Sequence, residues 1–417
     1  MTEAAETLVV AFNFPPFNDG SAVTMAKRMI EADRKVDVIA ADLTSVRYRD
    51  DSLFDLVAPW VNRVKYTRTP VQFATEVGMR SFVDAGISAH RTMGRRTYKE
   101  IFSRSMWAHS HFLAAELKGR GISNTWTAEF SDPLLWQADS SARHSGPIGD
   151  PSFMAHALKE MGTREQRLLR ENNSVLYWAQ MIPCILADKL LFTNDQQFEL
   201  MLHDAPQFLR GAIEEKAIIS PHPTLPSQYY ERPSGGTTAG TFAGPSRANF
   251  AKDTTERFRI GYFGTFYPNR GAGEFLEALS CLTPSEREVV CLEVHSNGAE
   301  HLVQVANRLR LGSCVRVLPP LPYREFLYTT GNYDALLVND IATAPFGTPS
   351  PFLPSKYSDY TGSTADIMAI VIPGSPLDAR SVKWKAHVGA TDGVVAMLRG
   401  AIASRRLPSR TEAVEHP

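Results

Sequence analysis

The sequence predicts an α/β protein built from two doubly wound, Rossmann-like lobes. Three observations predict it. Short apolar runs with β-branched residues recur along both halves of the chain, and most are followed by a polar or glycine-bearing turn and then by a helical apolar pattern. The two series are separated at 233–257 by a stretch rich in Gly, Ser, Thr and Pro. A length of 417 residues suits two or three domains, and 43% hydrophobic with 21% charged residues is an ordinary globular mixture that can bury two cores without staples.

The first series opens at Leu8–Phe12, an apolar strand, followed by a loop with Pro15, Pro16, Asn18, Asp19 and Gly20. Asp19 or Ser21 then caps a helix through Met25, Met29 and Ile30, and Val36–Ala40 is the next strand, which completes a βαβ unit. Residues 60–110 read mostly as helices with one basic, aromatic face. Arg63, Lys65, Arg68, Arg80, Arg91, Arg95, Arg96, Lys99 and Arg104 outnumber Glu76, Asp84 and Glu100, and seven aromatic residues are interleaved. Ser110–Lys118 reads as a helix stopped by Gly119 and Gly121, and Thr125–Phe130 as a strand. Residues 138–151 form a polar loop expected to be mobile. Helical spacing returns over Met154–Ala187, and Lys189–Thr193 and Ala217–Ser220 are further strands.

The second series begins at Arg259 with RIGYFG and a turn containing Asn269, Arg270 and Gly271, then a helix through Phe275 and Leu279. Val289–His295, Val315–Leu318, Ala335–Val338 and Ile367–Ile372 continue the strands. The expected division is 1–225 for a first lobe, 226–383 for a second, and 384–417 for an apolar-periodic last segment. Ligands are expected outside the carboxyl ends of the strands, in a cleft between the facing lobes.

A formal net charge of -1 argues against general nucleic-acid binding. Cys184, Cys281, Cys291 and Cys314 form no CxxC pair and have no accompanying His cluster, so buried reduced thiols are expected and no metal site. The acidic start MTEAAETLVVAFNF has too short an apolar run for a signal peptide, and no stretch approaches a membrane span. A cytoplasmic protein is expected, with peripheral contact at the inner face of a membrane left to residues 60–110. A plain packed helical cap with solvated arginines is the other reading of that segment.

Four loops carry the chemistry. Around Gly20 and Ser21, at a strand end opening a helix, backbone N–H groups suit an anion or a sugar hydroxyl, and a simple βα turn is the bland alternative. Gly264, Thr265 and Arg270 sit in the matching loop of the second lobe, where Arg270 suits a diphosphate or is merely exposed. In PSPFLPSKYSDY, Pro351 and Pro354 fix the backbone around Phe352 and Leu353, and a helix begins near Ser355. Lys356 and Asp359 lie three apart on one helix face, suited to a phosphate and to ribose hydroxyls, or to a surface ion pair. Glu129 and Asp132 follow a strand and suit a general base or a sugar ligand, with N-capping by Ser131 or Asp132 as the alternative.

Together these residues resemble the family-4-like glycosyltransferases of GT-B fold, over almost the whole chain from Leu8 to about Leu398. FPPFNDGSAV looks like the family's Gly-rich first loop, and RIGYFGTFYPNRG is similar to its second-lobe opening. VRVLPPLPYREFL looks like the segment whose backbone contacts the donor base, which the resemblance assigns to Pro320, Leu321 and Pro322. PFLPSKYSDYTGS is similar to the PxKxxEY variant of bacterial surface-glycan sugar transferases, with Asp359 in place of the usual Glu on the ribose. The chain departs from the pattern in three places. Of two expected basic residues in the second-lobe loop only Arg270 is present, Pro351 or Phe352 stands where the first Glu of EX7E would be, and Glu129 stands roughly where a first-lobe His is usual.

The resemblance makes 1–225 the acceptor-side lobe, 226–383 the nucleotide-sugar-binding lobe, and 384–417 a helix that packs back on the first lobe. It implies hexosyl transfer from a nucleotide-diphosphate sugar to a glycan, a glycolipid (lipid-linked) or a small-molecule hydroxyl, with retention of configuration. No DxD triplet is present, so no metal or other cofactor is expected, and Arg270 with Lys356 meets the diphosphate charge. Glu129 or Asp132 would be the base of an inverting reaction. The rival readings are a sugar-nucleotide epimerase of the same fold and a non-catalytic sugar-nucleotide-binding subunit.

Overall fold

The computed structural model describes residues 5–94, 97–105, 107–138, 141–232, 257–264, 272–297, 300–340 and 351–406. The chain forms two compact units. One runs to Leu225 and takes in the described part of Thr343–Ser355; the other comprises the described residues of Pro226–Ala342 and Lys356–Pro417.

The first unit carries a seven-stranded sheet: β1 (Thr7–Ala11), β2 (Val36–Ala41), β3 (Val61–Thr67), β4 (Glu100–Ser105), β5 (Trp126–Phe130), β6 (Lys189–Phe192) and β7 (Ala217–Ile219). All neighbours are parallel, in the order β3-β2-β1-β4-β5-β6-β7. The order reverses between β1 and β4, which makes their carboxyl ends the switch point where such sheets take ligands. Leu8, Val10 and Phe12 alternate onto the face that packs with Phe82, Phe112, Met181 and Ile182 from three helices, and this is the main core of the unit.

The second unit repeats the plan with six parallel strands in the order β10-β9-β8-β11-β12-β13: β8 (Phe258–Phe263), β9 (Val290–His295), β10 (Val315–Leu318), β11 (Ala335–Asn339), β12 (Asp366–Val371) and β13 (Trp384–His387). Its switch point lies between β8 and β11. Its core joins Ile260, Leu292, Leu337 and Ile370 to helix residues such as Phe275 and Leu398.

Three expectations are corrected. Residues 60–110 are not mostly helical: β3 and β4 flank a single long helix, Glu76–Thr92. Their aromatic residues serve mainly the interior, since Phe82 and Tyr98 are buried and Trp107 stacks on Phe12 at 5.0 Å. A helical reading fails there because Val61, Val64 and Tyr66 sit on an edge strand whose other positions, Asn62, Arg63 and Lys65, are solvated. The described part of the polar loop before Pro151 is pinned near its end. Pro147 bridges Ser174, and Glu76 Oε2 accepts from Gly149 N at 2.6 Å. The segment from Trp384 starts as β13, and only Thr391–Arg406 is a helix. That helix buries Val394, Leu398 and Ala401 in the second unit's own core.

Candidate functional site

At the carboxyl end of the first sheet, the β1 loop is held from several sides. Phe17 N donates to Phe14 O, the Tyr66 hydroxyl donates to Pro15 O, and Asn18 N donates to Tyr48 O. Asp19 is the N-cap of the helix Gly20–Ala32 and accepts from Ser21 N at 2.8 Å, while Arg47 Nε holds its other oxygen at 3.2 Å. The Ser21 amide expected to meet a ligand is therefore already bonded to its own cap. Gly20 is not cramped, because an added Cβ would meet only Ser355 Oγ at 3.8 Å.

Glu129 and Arg104 are register partners on β5 and β4, so their side chains share one face. Glu129 Oε1 lies 2.5 Å from Arg104 Nη1 and accepts from Arg28 Nε at 3.2 Å and Nη2 at 3.1 Å. Arg28 Nη2 also donates to Ser220 O at 2.7 Å. Burial opposes the Arg28 charge, yet Glu129 and Glu31 together outweigh it and hold the guanidinium above its ordinary value. Glu129 is 0% exposed. A carboxylate buried between two guanidiniums is not exposed to a substrate, so the expected role as an accessible base does not fit this geometry. Asp132 is half-buried just beyond β5, and the first helical turn described after β5 begins only at Pro151, so neither Ser131 nor Asp132 caps a helix.

Two buried histidines of the first lobe escaped the sequence reading. His111 Nδ1 is 2.8 Å from Ser103 Oγ, and His109 stacks on Phe12 with centroids 4.0 Å apart. Burial pushes both imidazoles down to about 3, so both are neutral. The apolar spacing around them hid them in the helix His109–Gly119.

In the second unit, Gly264 ends β8 with φ +100, a conformation that favours glycine. A Cβ there would lie 3.0 Å from Lys356 Cε. Lys356 Nζ sits 3.8 Å over the centre of the Tyr262 ring, a cation–π contact. Thr265 and Arg270 lie outside the described residues. Asp359 is buried, on the short helix Lys356–Tyr360, and its Oδ1 accepts from the Tyr323 hydroxyl at 2.7 Å. The Asp359 carbonyl accepts from the Tyr230 hydroxyl at 2.7 Å, and the Tyr360 hydroxyl accepts from Phe263 N at 3.1 Å. Burial, reinforced by the Asp359 charge, pushes the Tyr323 hydroxyl far above its usual value, so it remains a donor. Leu321 and Pro322 are half-buried, and Pro322 is the N-cap of the helix Tyr323–Thr330 that carries Tyr323.

Gly264, Lys356, Asp359, Leu321 and Pro322 thus belong to one unit, and Lys356 is brought against Gly264. Lys356 and Asp359, expected on one helix face, point to different partners. Phe352 and Leu353 are half-buried in the segment counted with the first unit, anchored where Asn194 Nδ2 donates to Pro351 O at 3.0 Å. The tyrosines that hold Asp359 were missed because each is separated from it by 36 or more residues. At the second switch point, Asp340 follows β11. Its Oδ2 accepts from Ser375 Oγ at 2.5 Å and Ile372 N at 2.9 Å, and burial raises the carboxyl to about 6. Among the described residues no group of three or more His, Cys, Asp or Glu is placed to hold a metal ion, and no helix is long and apolar enough to cross a membrane.

No protein-family profile matches the chain, and no curated protein matches it in sequence. Solved structures do match in fold. Anabaena Alr3699/HepE, in complex with UDP, is similar with a TM-score of 0.59 and 13% identity over 96% of this chain and 91% of that one. The sucrose-phosphate synthase of Thermosynechococcus elongatus is similar with 0.57, 12% identity and coverage of 96% and 90%. The UDP-forming α,α-trehalose-phosphate synthase of Burkholderia xenovorans, in complex with glucose-6-phosphate, is similar with 0.57, 12% identity and coverage of 95% and 92%. The two parallel Rossmann-like sheets and these likenesses give the chain the GT-B fold.

Proposed function

We propose that this protein is a glycosyltransferase that moves a hexosyl group from a nucleotide-diphosphate sugar to the hydroxyl of a glycan, a glycolipid or a small molecule. One observation carries the reading. At the carboxyl end of the second sheet, Gly264 leaves β8 in a left-handed conformation directly beside the Lys356 stem. That sets a cation beside the strand end where the diphosphate is proposed to bind, in a unit whose buried Asp359 carboxylate is proposed to meet the ribose. The GT-B fold, found in structures crystallised with UDP and with a sugar phosphate, supports it.

The reaction is proposed to be metal-independent and to retain configuration. Lys356 and Arg270 meet the leaving diphosphate, and that phosphate takes the acceptor proton. Closure of Glu129 by Arg28 and Arg104 supports a course that needs no side-chain base from that position, and an inverting course would fall to Asp132. Turnover in excess EDTA should equal that without it, and loss of turnover restored by a divalent ion would overturn the metal-free proposal. The exposed stretch with Arg68, Phe73 and Val77 suits peripheral contact with an acceptor-bearing membrane.

The same closure of Glu129 favours a second reading, a subunit that binds the sugar nucleotide without turnover. The first experiment is a thermal-shift screen against UDP, GDP, ADP, TDP and CMP sugars, followed by donor hydrolysis or transfer with the ligand found. A rise in melting temperature with one nucleotide class supports the donor site. Turnover then selects the enzyme over the subunit, and no shift with any donor removes the nucleotide-sugar reading.

A further inference from the structure

His295, the last residue of β9, lies in a hydrogen-bond chain that the proposed function leaves unused. Its ring is parallel to that of Phe263, with centroids 4.7 Å apart, and only 7% of the residue is exposed. Nδ1 lies 3.1 Å from the Pro319 carbonyl oxygen and Nε2 lies 2.9 Å from the Tyr333 hydroxyl. That hydroxyl is 2.9 Å from Glu293 Oε2, which also accepts from Arg259 Nη2 at 2.7 Å. Glu293 and Tyr333 are both buried.

Counting hydrogens exposes a conflict. The Pro319 carbonyl can only accept, so Nδ1 must carry a hydrogen. A neutral ring then offers a lone pair at Nε2. The Tyr333 hydroxyl has one hydrogen and faces two acceptors, Nε2 and the Glu293 carboxylate. One of the two contacts must set lone pair against lone pair, a costly arrangement in a buried site. A single added proton completes the chain. Nδ1–H donates to Pro319, Nε2–H donates to the Tyr333 oxygen, and the Tyr333 hydroxyl donates to Glu293. The Arg259 guanidinium on Glu293 places that proton at the His295 end.

Charged groups face this chain from three strands among the described residues: Glu293 on β9, Arg259 on β8, and Arg316 on β10, whose Nη1 is 3.7 Å from Glu293 Oε1. Tyr333 and Phe263 complete the surroundings of the ring. Burial pushes the imidazole down, the Pro319 bond and Glu293 oppose it, and Arg259 adds to the fall. The ring is therefore neutral at neutral pH and gains its proton only below the range of free histidine.

Pro319 opens the turn through Leu321 and Pro322 into the helix Tyr323–Thr330, whose Tyr323 bonds Asp359. We propose that Glu293, Tyr333 and His295 are positioning residues for the nucleotide: uptake of one proton at Nε2 completes their chain, strengthens the bond that Nδ1–H already makes to the Pro319 carbonyl, and tightens nucleotide binding. The inference rests on the nucleotide-sugar reading above. It predicts that binding raises the His295 midpoint, and a rise of half to one unit corresponds to roughly three- to tenfold tighter binding once the ring is protonated.

The test measures dissociation constants for UDP, GDP, ADP, TDP and CMP from pH 5 to 8.5, on the wild type, His295→Gln and Tyr333→Phe. The imidazole carbon shift of His295 is followed by NMR in parallel, in wild type and Tyr333→Phe. The expected result is a ring that titrates below free histidine, falls further in Tyr333→Phe, and has a midpoint matching the rise in nucleotide affinity. That rise should vanish in His295→Gln. A ring that does not titrate in this range, a midpoint unmoved by Tyr333→Phe, or an acid-dependent affinity that survives in His295→Gln overturns the inference and leaves the donor site standing. Failure of every nucleotide to bind at any pH, in all three proteins, instead removes the nucleotide reading itself.

Discussion

The two lobes share one topology, yet Glu129 of the first and Asp359 and Asp340 of the second, all buried, are held differently. In the first lobe, Glu129 is closed by Arg28 and Arg104. In the second, Asp359 is held by the Tyr323 hydroxyl, and Asp340 by the Ser375 hydroxyl and one backbone amide. A hydroxyl donor orients a carboxylate without cancelling its charge, whereas two guanidiniums set two positive charges against it. Glu129 should therefore be structural. Glu129→Ala leaves two buried guanidiniums facing each other and should cost about 3–5 kcal/mol in urea unfolding. Unchanged stability together with lost turnover would sink this reading and restore Glu129 as a base.

Asp340 supplies the contrasting case. Its carboxyl rises from 3.8 to about 6 on folding, chiefly through burial, with the hydrogen bonds from Ser375 and Ile372 opposing. The folded state binds the proton more tightly than the unfolded one. The stability this contributes is complete below about pH 4 and is lost as pH rises through about 6, a change on the order of 3 kcal/mol. Asp340→Asn should flatten that part of the pH–stability curve. An identical slope in wild type and variant would mean that another group titrates.

How much of this was legible depends on range. The two βα series, the strand Val315–Leu318 and the helix after Gly271 could be read because a strand or helix declares itself within a few residues through its apolar period. The segment at Trp384 was misread because β13 is four residues long, too short to show a period before the helical pattern takes over. Glu129 was visible as a carboxylate at a strand end. Its closure by Arg28 was not, because Arg28 lies 101 residues away in sequence. The Asp359–Tyr323 and His295–Tyr333 pairs are equally nonlocal. Position in the fold can be read locally, but electrostatic environment is a property of the assembled sheet end.

The second-lobe side of the comparison is sharpened by Asp359. Asp359→Ala removes the buried carboxylate and should weaken nucleotide binding at least tenfold by calorimetry, while Tyr323→Phe, which only frees one oxygen, should cost less. Equal losses in the two variants would show that Tyr323, not the carboxylate, carries the contact.

The smallest effect should come from Gly264→Ala. The backbone there has φ +100, where an L side chain is strained, and the new methyl would press on Lys356 Cε at 3.0 Å. The aliphatic stem can yield, so the stability cost should be only about 1 kcal/mol. The functional cost differs in kind, because a Lys356 pushed off the Tyr262 ring moves the ammonium that is proposed to meet the diphosphate. Gly264→Ala should therefore weaken binding of a nucleoside diphosphate more than that of the free nucleoside. A matching loss for both ligands would place the lesion at the base or ribose and detach Lys356 from the phosphate.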